Sequence, residues 1–140
     1  MTTLVVGAEI PAQVVHFTRE DLRAYANASG DHNPIHLDDA VAAAVGLPGV
    51  IAHGMLTMGH TARVISDFVG GVEKVQSFSV RFTRPVVVPP QDAQPNSAEL
   101  TISGVVTAID ESTAMATIAI NVIFNGQTVL ARAEARVSIS

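Results

Sequence analysis

From Asp31 to His36 the chain reads DHNPIH: a carboxylate, two imidazoles and an amide in six residues, with a proline among them. A carboxylate and an imidazole on one loop can converge on one water or one substrate atom. One takes a proton while the other gives one, which is general acid/base chemistry. Pro34 biases Asn33 away from helix, so the piece should be irregular and its geometry narrowly defined. Asn33 could orient either member of the Asp31/His36 pair. A plainer reading stands beside this one. Asp31 can form a turn after Gly30, and Asn-Pro is a common turn dipeptide. Spacing alone leaves both open.

His32 and His36 are four apart, which raises the question of a metal. Pro34 lies between them, so they do not share a helical face. The chain has no cysteine to add a thiolate ligand, and no metal is expected. A second element follows in AHGMLTMG. Gly54 sits where a helix should begin, and there the backbone N–H groups have no partner and the helix dipole is positive. Glycine lets a ligand approach closely, so a carbonyl oxygen gaining negative charge could be held at that amide. A glycine that merely starts a helix is the plainer alternative. His16 reads as a strand or surface histidine, and His60 as a hydrogen-bonded core histidine.

These residues need elements to hold them. FTREDLRAYANASG reads as a helix: Thr18 caps it, Asp21 completes a capping-box spacing, and Gly30 stops it. Leu22, Tyr25 and Ala26 share one face. Asp38 caps a short helix through DAVAAAV, which Gly46 ends. The helix Met55–Val69 carries only Arg63 and Asp67 as charges. With apolar residues nearly all round, it is expected to be buried on most sides. After Gly70 and Gly71 the period changes to two. VQSFSVRF, AELTISGVVTAI, AMATIAINVIF and TVLARAEARVSI read as strands. The last alternates strictly, with Val129, Ala131, Ala133, Ala135 and Val137 on one face. Asn125-Gly126 marks a hairpin, and VPPQDAQPNS is a connector. Helices come first, then about four antiparallel strands whose apolar face needs cover. The expected fold is α+β: a curved antiparallel sheet wrapped around a long central helix, as one domain over residues 1–140.

Composition bounds the function. Of 140 residues, 48% are hydrophobic and only 15% charged, with a net charge of -5. That balance gives no general attraction for nucleic acid. A chain so poor in charge is expected to hide surface in an oligomer. MTTLVVGAEIP has no basic start and no long apolar run, so no leader is expected. No stretch reaches the roughly 20 apolar residues that span a bilayer, so neither membrane insertion nor a site outside the cytoplasm is expected. Phosphate loops, GxSxG elbows and nucleotide fingerprints are absent, which leaves the nucleophile-based hydrolases poorly supported.

Taken together, YANASGDHNPIHLDDAVAAAVGLPGVIAHGMLTMG resembles the MaoC-like family of (R)-specific enoyl-thioester hydratases and dehydratases. The family pattern is a Tyr-bearing helix, then S-G-D-x-N-P-[IL]-H-x-[DN], a small-residue helix, and H-G-M. The chain follows it from Tyr25 to Gly59 without a gap. VRFTRPVVVP is similar to the family's sheet segment after the central helix. Within the family, the details look most like the catalytic B subunits of mycobacterial-type (3R)-hydroxyacyl-ACP dehydratases.

The resemblance implies a hot dog fold and the interconversion of (3R)-3-hydroxyacyl and trans-2-enoyl thioesters. It implies Asp31 and His36 as the catalytic pair and the Gly54 N–H as oxyanion donor. Asn33, Ser29 and His53 would support them. No resident cofactor is implied, because CoA or phosphopantetheine enters as part of the acyl-CoA or acyl-ACP substrate. A homodimer, or a heterodimer with a paralogous hot dog subunit, is implied as the assembly. Some family members carry a serine near the position of Ala62. Here the neighbouring hydroxyls are Thr57 and Thr61, so no third catalytic side chain is assigned. Two settings fit: fatty or mycolic acid elongation, and CoA-linked hydration for β-oxidation or polyhydroxyalkanoate supply. A thioesterase and a non-catalytic thioester-binding subunit are the rival roles. An acidic carrier would want a basic patch, for which Arg63, Lys74, Arg81 and Arg84 are the candidates.

Overall fold

The computed structural model describes residues 3–140. Residues 1 and 2, where the expectation of no leader begins, lie outside them. Strand β1 (Glu9–Thr18) leads into α1 (Arg19–Ser29), a 3₁₀ turn at Pro34–His36, and α2 (Asp39–Ala44). Then come α3 (Gly54–Val69), β2 (Val75–Phe82), β3 (Ser97–Asp110), β4 (Met115–Phe124), β5 (Gln127–Thr128) and β6 (Leu130–Ser138). One antiparallel sheet runs in the order β1-β3-β4-β6-β2, with β5 beside β4. Helix α3 packs against β1, β2 and β6, so the sheet curls round it as expected for a hot dog fold. No helix among the described residues is long and apolar enough to cross a membrane.

Local chemistry explains the well-read parts. The capping box is present at α1: Thr18 Oγ1 accepts from the Asp21 N–H at 3.2 Å, and the Thr18 N–H donates to Asp21 Oδ2 at 2.8 Å. Gly30 ends the helix at φ 80°, a left-handed conformation that glycine adopts without steric cost. Asp38 caps α2 by accepting from the Ala40 and Val41 amides. Asn125 and Gly126, at φ 50° and 73°, make the β4–β5 turn.

Three expectations need correction. The chain opens on a strand, not a helix. In β1 only Ile10, Val15 and Phe17 are buried, and a bulge between Ile10 and Gln13 breaks the alternation. The short β5 brings the strands to six rather than about four. Helix α3 is covered on most sides, as expected, with one stripe left open. Thr57, Thr61, Val64, Ile65 and Val69 face the core, while Met55, Gly59, Arg63 and Asp67 form an exposed stripe one turn apart. The strict alternation of the last strand fails at its start. Arg132 takes φ 50°, where β6 carries one residue more than β2 between the Ser79↔Glu134 and Arg81↔Ala131 pairs. The extra residue reverses the faces. Leu130 is buried where Ala131 was expected, and Ala131 is only half-buried.

Candidate active site

The loop after α1 is built from short side chains that bond backbone amides two residues on. Ser29 Oγ accepts from the Asp31 N–H at 3.1 Å, Asp31 Oδ1 from the Asn33 N–H at 3.1 Å, and Asn33 Oδ1 from the Ile35 N–H at 3.2 Å. Three successive turns of this kind replace the helix that Pro34 forbids. Ser29 and Asn33 therefore shape the loop through its backbone. His36 lies at the end of this run, 7% exposed.

The tautomer of His36 follows from its partner. Its Nδ1 stands 2.7 Å from the Ile51 carbonyl oxygen, which can only accept. Nδ1 carries the hydrogen, and Nε2 of the neutral ring is left as a bare acceptor. His53 makes the matching contact across the loop, its Nε2 donating to the Asp31 carbonyl at 3.1 Å. The two imidazoles stack, with centroids 3.9 Å apart and planes 24° apart. Tyr25 meets the other side of His53 edge-on at 4.7 Å. His53 is 1% exposed, and its Nδ1 has no hydrogen-bond partner. Burial lowers its pKa below 6.5, and the neighbouring His36 adds to that, while the Asp31 carbonyl opposes it. His53 is thus a neutral wedge that fixes the backbone of Asp31 and the plane of His36.

A carboxylate oxygen of Asp31 and one ring nitrogen each of His36 and His53 lie within 4.8 Å of one another. Three such groups could in principle hold a cation. Each imidazole, however, already gives one nitrogen to a backbone carbonyl. His32, the other half of the sequence-level metal question, lies on the exposed side of the loop.

Gly54 is the first residue of α3. His53, which precedes it, makes no side-chain cap bond. The His53 carbonyl takes the Leu56 and Thr57 amides. The Gly54 amide finds no acceptor among the described residues. A cavity of about 380 Å³ opens there, lined by His36, Gly54 and Thr57 with an apolar wall of Ile51, Ala52, Val86, Val129 and Leu130. Phe82, Thr83, Arg84 and Pro85 complete it. Asp31 is exposed and stands beside His36, not on the cavity wall. Glycine at position 54 is a steric matter too, because a Cβ would come within 2.9 Å of the Phe82 ring.

Sequence reasoning missed Phe82 and Val86 in this wall. They come from the end of β2 and the connector after it, and their signal in the sequence was only that of a strand end. Thr57 lines the cavity, whereas Thr61 turns its hydroxyl to the Thr57 carbonyl at 2.9 Å. Of the basic candidates, Arg84 lines the cavity. Arg63 lines a separate depression with Tyr25, Met55 and His60. His16 is an exposed strand residue. His60 is not hydrogen-bonded as expected: its Nδ1 has no partner, and its ring packs against Phe17 at 5.1 Å.

The model of the MaoC like domain matches residues 5–117. The chain belongs to the MaoC-like family. It is 42% identical over 79 residues to 3-hydroxyacyl-thioester dehydratase X of Mycobacterium tuberculosis, a match covering 56% of this chain and 27% of that protein. The chain thus spans about a quarter of that relative's length. Among solved structures, a MaoC-like dehydratase superposes with a TM-score of 0.91 at 34% identity, over 98% of this chain and 41% of the other. The (R)-hydratase from A. caviae involved in PHA biosynthesis superposes with a TM-score of 0.81 at 29% identity, over the whole of both chains. The hot dog architecture of this MaoC-like chain is shared with both.

Proposed function

We propose that this chain is an (R)-specific hydratase/dehydratase, acting as one hot dog unit on (3R)-3-hydroxyacyl and trans-2-enoyl thioesters. One observation carries the reading. A buried histidine whose Nδ1 is held by a carbonyl lines the same cavity as the first residue of α3, with a carboxylate alongside. The relatives named above are dehydratases and hydratases, which supports it.

The steps follow from the geometry. The thioester carbonyl accepts from the Gly54 N–H, which stabilises enolate character and acidifies C2. A donor aimed at developing charge contributes about 3–4 kcal/mol. In dehydration the Asp31/His36 pair removes a proton from C2 and delivers one to the C3 hydroxyl. The C3–O bond breaks, and water leaves. In hydration the same two groups hold the incoming water, one taking its proton while C2 gains one. Both groups stand at one place, so the base is named for the pair. The apolar wall takes the acyl chain, and CoA or phosphopantetheine arrives attached to it. No metal or redox group is called for in this sequence.

The test is enoyl absorbance with crotonyl-CoA and a long trans-2-enoyl-CoA, for the wild type, Asp31→Asn and His36→Ala, with the C3 configuration of the product. Turnover to an (R) product and a loss of at least about a hundredfold in each variant are expected. Release of free thiol instead would mark a thioesterase. Full activity in Asp31→Asn would remove the carboxylate from the chemistry.

A further inference from the structure

We propose that Arg19 and Asp39 are positioning residues that hold the Ile51 carbonyl where it fixes the tautomer of His36. The proposal rests on the reading of His36 as a proton carrier. Arg19 opens α1 and Asp39 opens α2. The Arg19 guanidinium forks onto the Asp39 carboxylate, Nη1 to Oδ2 at 3.1 Å and Nη2 to Oδ1 at 2.9 Å. Its Nε donates to the Val88 carbonyl at 2.7 Å. Asp39 Oδ1 also accepts the Val50 N–H at 3.1 Å. The next residue is Ile51, whose carbonyl takes the His36 Nδ1–H.

The segment that carries this carbonyl needs outside support. Between α2 and α3 it has no regular structure beyond an isolated bridge from Ile51 to Val87. Its amides are laced to neighbours on two sides. Ile51 N–H donates to the Ile35 carbonyl at 3.2 Å, and Ala52 N–H to the Val86 carbonyl at 2.9 Å. Val88 N–H returns to the Val50 carbonyl at 2.9 Å. Among the described residues, Arg19 is the only side chain tied to both members of this pairing, bonded to Val88 directly and linked to Val50 through Asp39. It does so from a well-covered position, 14% exposed, against 54% for Asp39. The guanidinium holds the Asp39 carboxyl below its usual value, so the strut stays charged through the neutral range. A half-exposed ion pair adds little to global stability. Its effect should therefore appear at His36 before it appears in the fold. If the Ile51 carbonyl turns away, Nδ1 loses its acceptor, and the ring can adopt the Nε2–H tautomer, which takes no proton from substrate.

The test reads the tautomer directly, by 15N resonances of His36 in 15N-histidine-labelled protein, assigned with His36→Ala. Wild type should show the Nδ1–H form. Asp39→Ala should raise the Nε2–H population and cut kcat about tenfold with little change in KM. Asp39→Asn keeps an acceptor for the Val50 amide and should retain most of both signals. Arg19→Lys, which cannot fork, should fall between. Val106→Ala, a core change in β3, controls for loss of stability and should leave the tautomer unchanged. Should Asp39→Ala not fold, the ordering of the two milder variants decides. A wild-type tautomer and kcat in Asp39→Ala or in Arg19→Lys would overturn the proposal. A silent wild-type enzyme with a shifted tautomer in Asp39→Ala would instead sink the proton-carrier reading and leave the strut standing.

Discussion

Gly54 has two demands on it, and they can be separated. Its amide is the free donor at the head of α3, and its missing side chain makes room for the Phe82 ring. An alanine keeps the amide and loses the room. In Gly54→Ala the ring must move off the cavity wall, admitting water and shifting the thioester. We expect a loss of about ten- to a hundredfold in kcat/KM. Shortening the ring in Gly54→Ala/Phe82→Leu should recover most of it, because the donor is still there. Steady-state kinetics of the two variants checks this, and no recovery would show that the loss is not steric. At this scale much was legible. Asp31, Asn33, His36 and Gly54 stand out by type and spacing, because loop-forming and proton-handling residues are rare in so apolar a chain. The contacts that His53 makes were not. Its contact with the Asp31 carbonyl joins positions twenty-two residues apart, and its stacking on His36 depends on how two loops meet.

Elements were read well where their signals are local. The cap of α1, the stop at Gly30 and the Asn125-Gly126 turn each depend on residues within a few positions. Strand β1 was missed because Pro11 and the adjacent bulge interrupt its period. Within β6 only Ala131 was misplaced, because the left-handed Arg132 puts a bulge beside it. His60 on helix α3 gives a testable consequence. Burial, then Arg63, lower its pKa below 6.5, against a smaller pull from Asp21, and burial also lowers His53. The unfolded chain binds these protons near pH 6.5, and the folded chain only at lower pH. Unfolding then takes up protons, so stability falls as the pH drops below about 6.5. His60→Leu should lessen that fall without touching the loop. Urea midpoints at about pH 7.5 and pH 5 measure it, and an identical acid slope in the variant would assign the effect elsewhere.

At the scale of the whole molecule, the single chain leaves its site half open. Asp31 is exposed, and so is the Phe82 ring that closes on Gly54, at 55%. Among the described residues the sheet also ends in two unpaired edges, β1 and β2, with Val14 and Phe82 on them. Unpaired edges with apolar side chains invite a further strand. Only 15% of the residues are charged, which leaves few side chains to blunt those edges. A second hot dog subunit, identical or paralogous, would remove both features at once. Light scattering on the purified chain should give twice its 14.6 kDa mass if two copies pair. A 14.6 kDa species that is silent alone, but doubles in mass and turns over enoyl thioester when a paralogous subunit is added, would assign the heterodimer. A monomer with full activity would show that the exposed Asp31 needs no neighbour, and that the edges are tolerated as they stand.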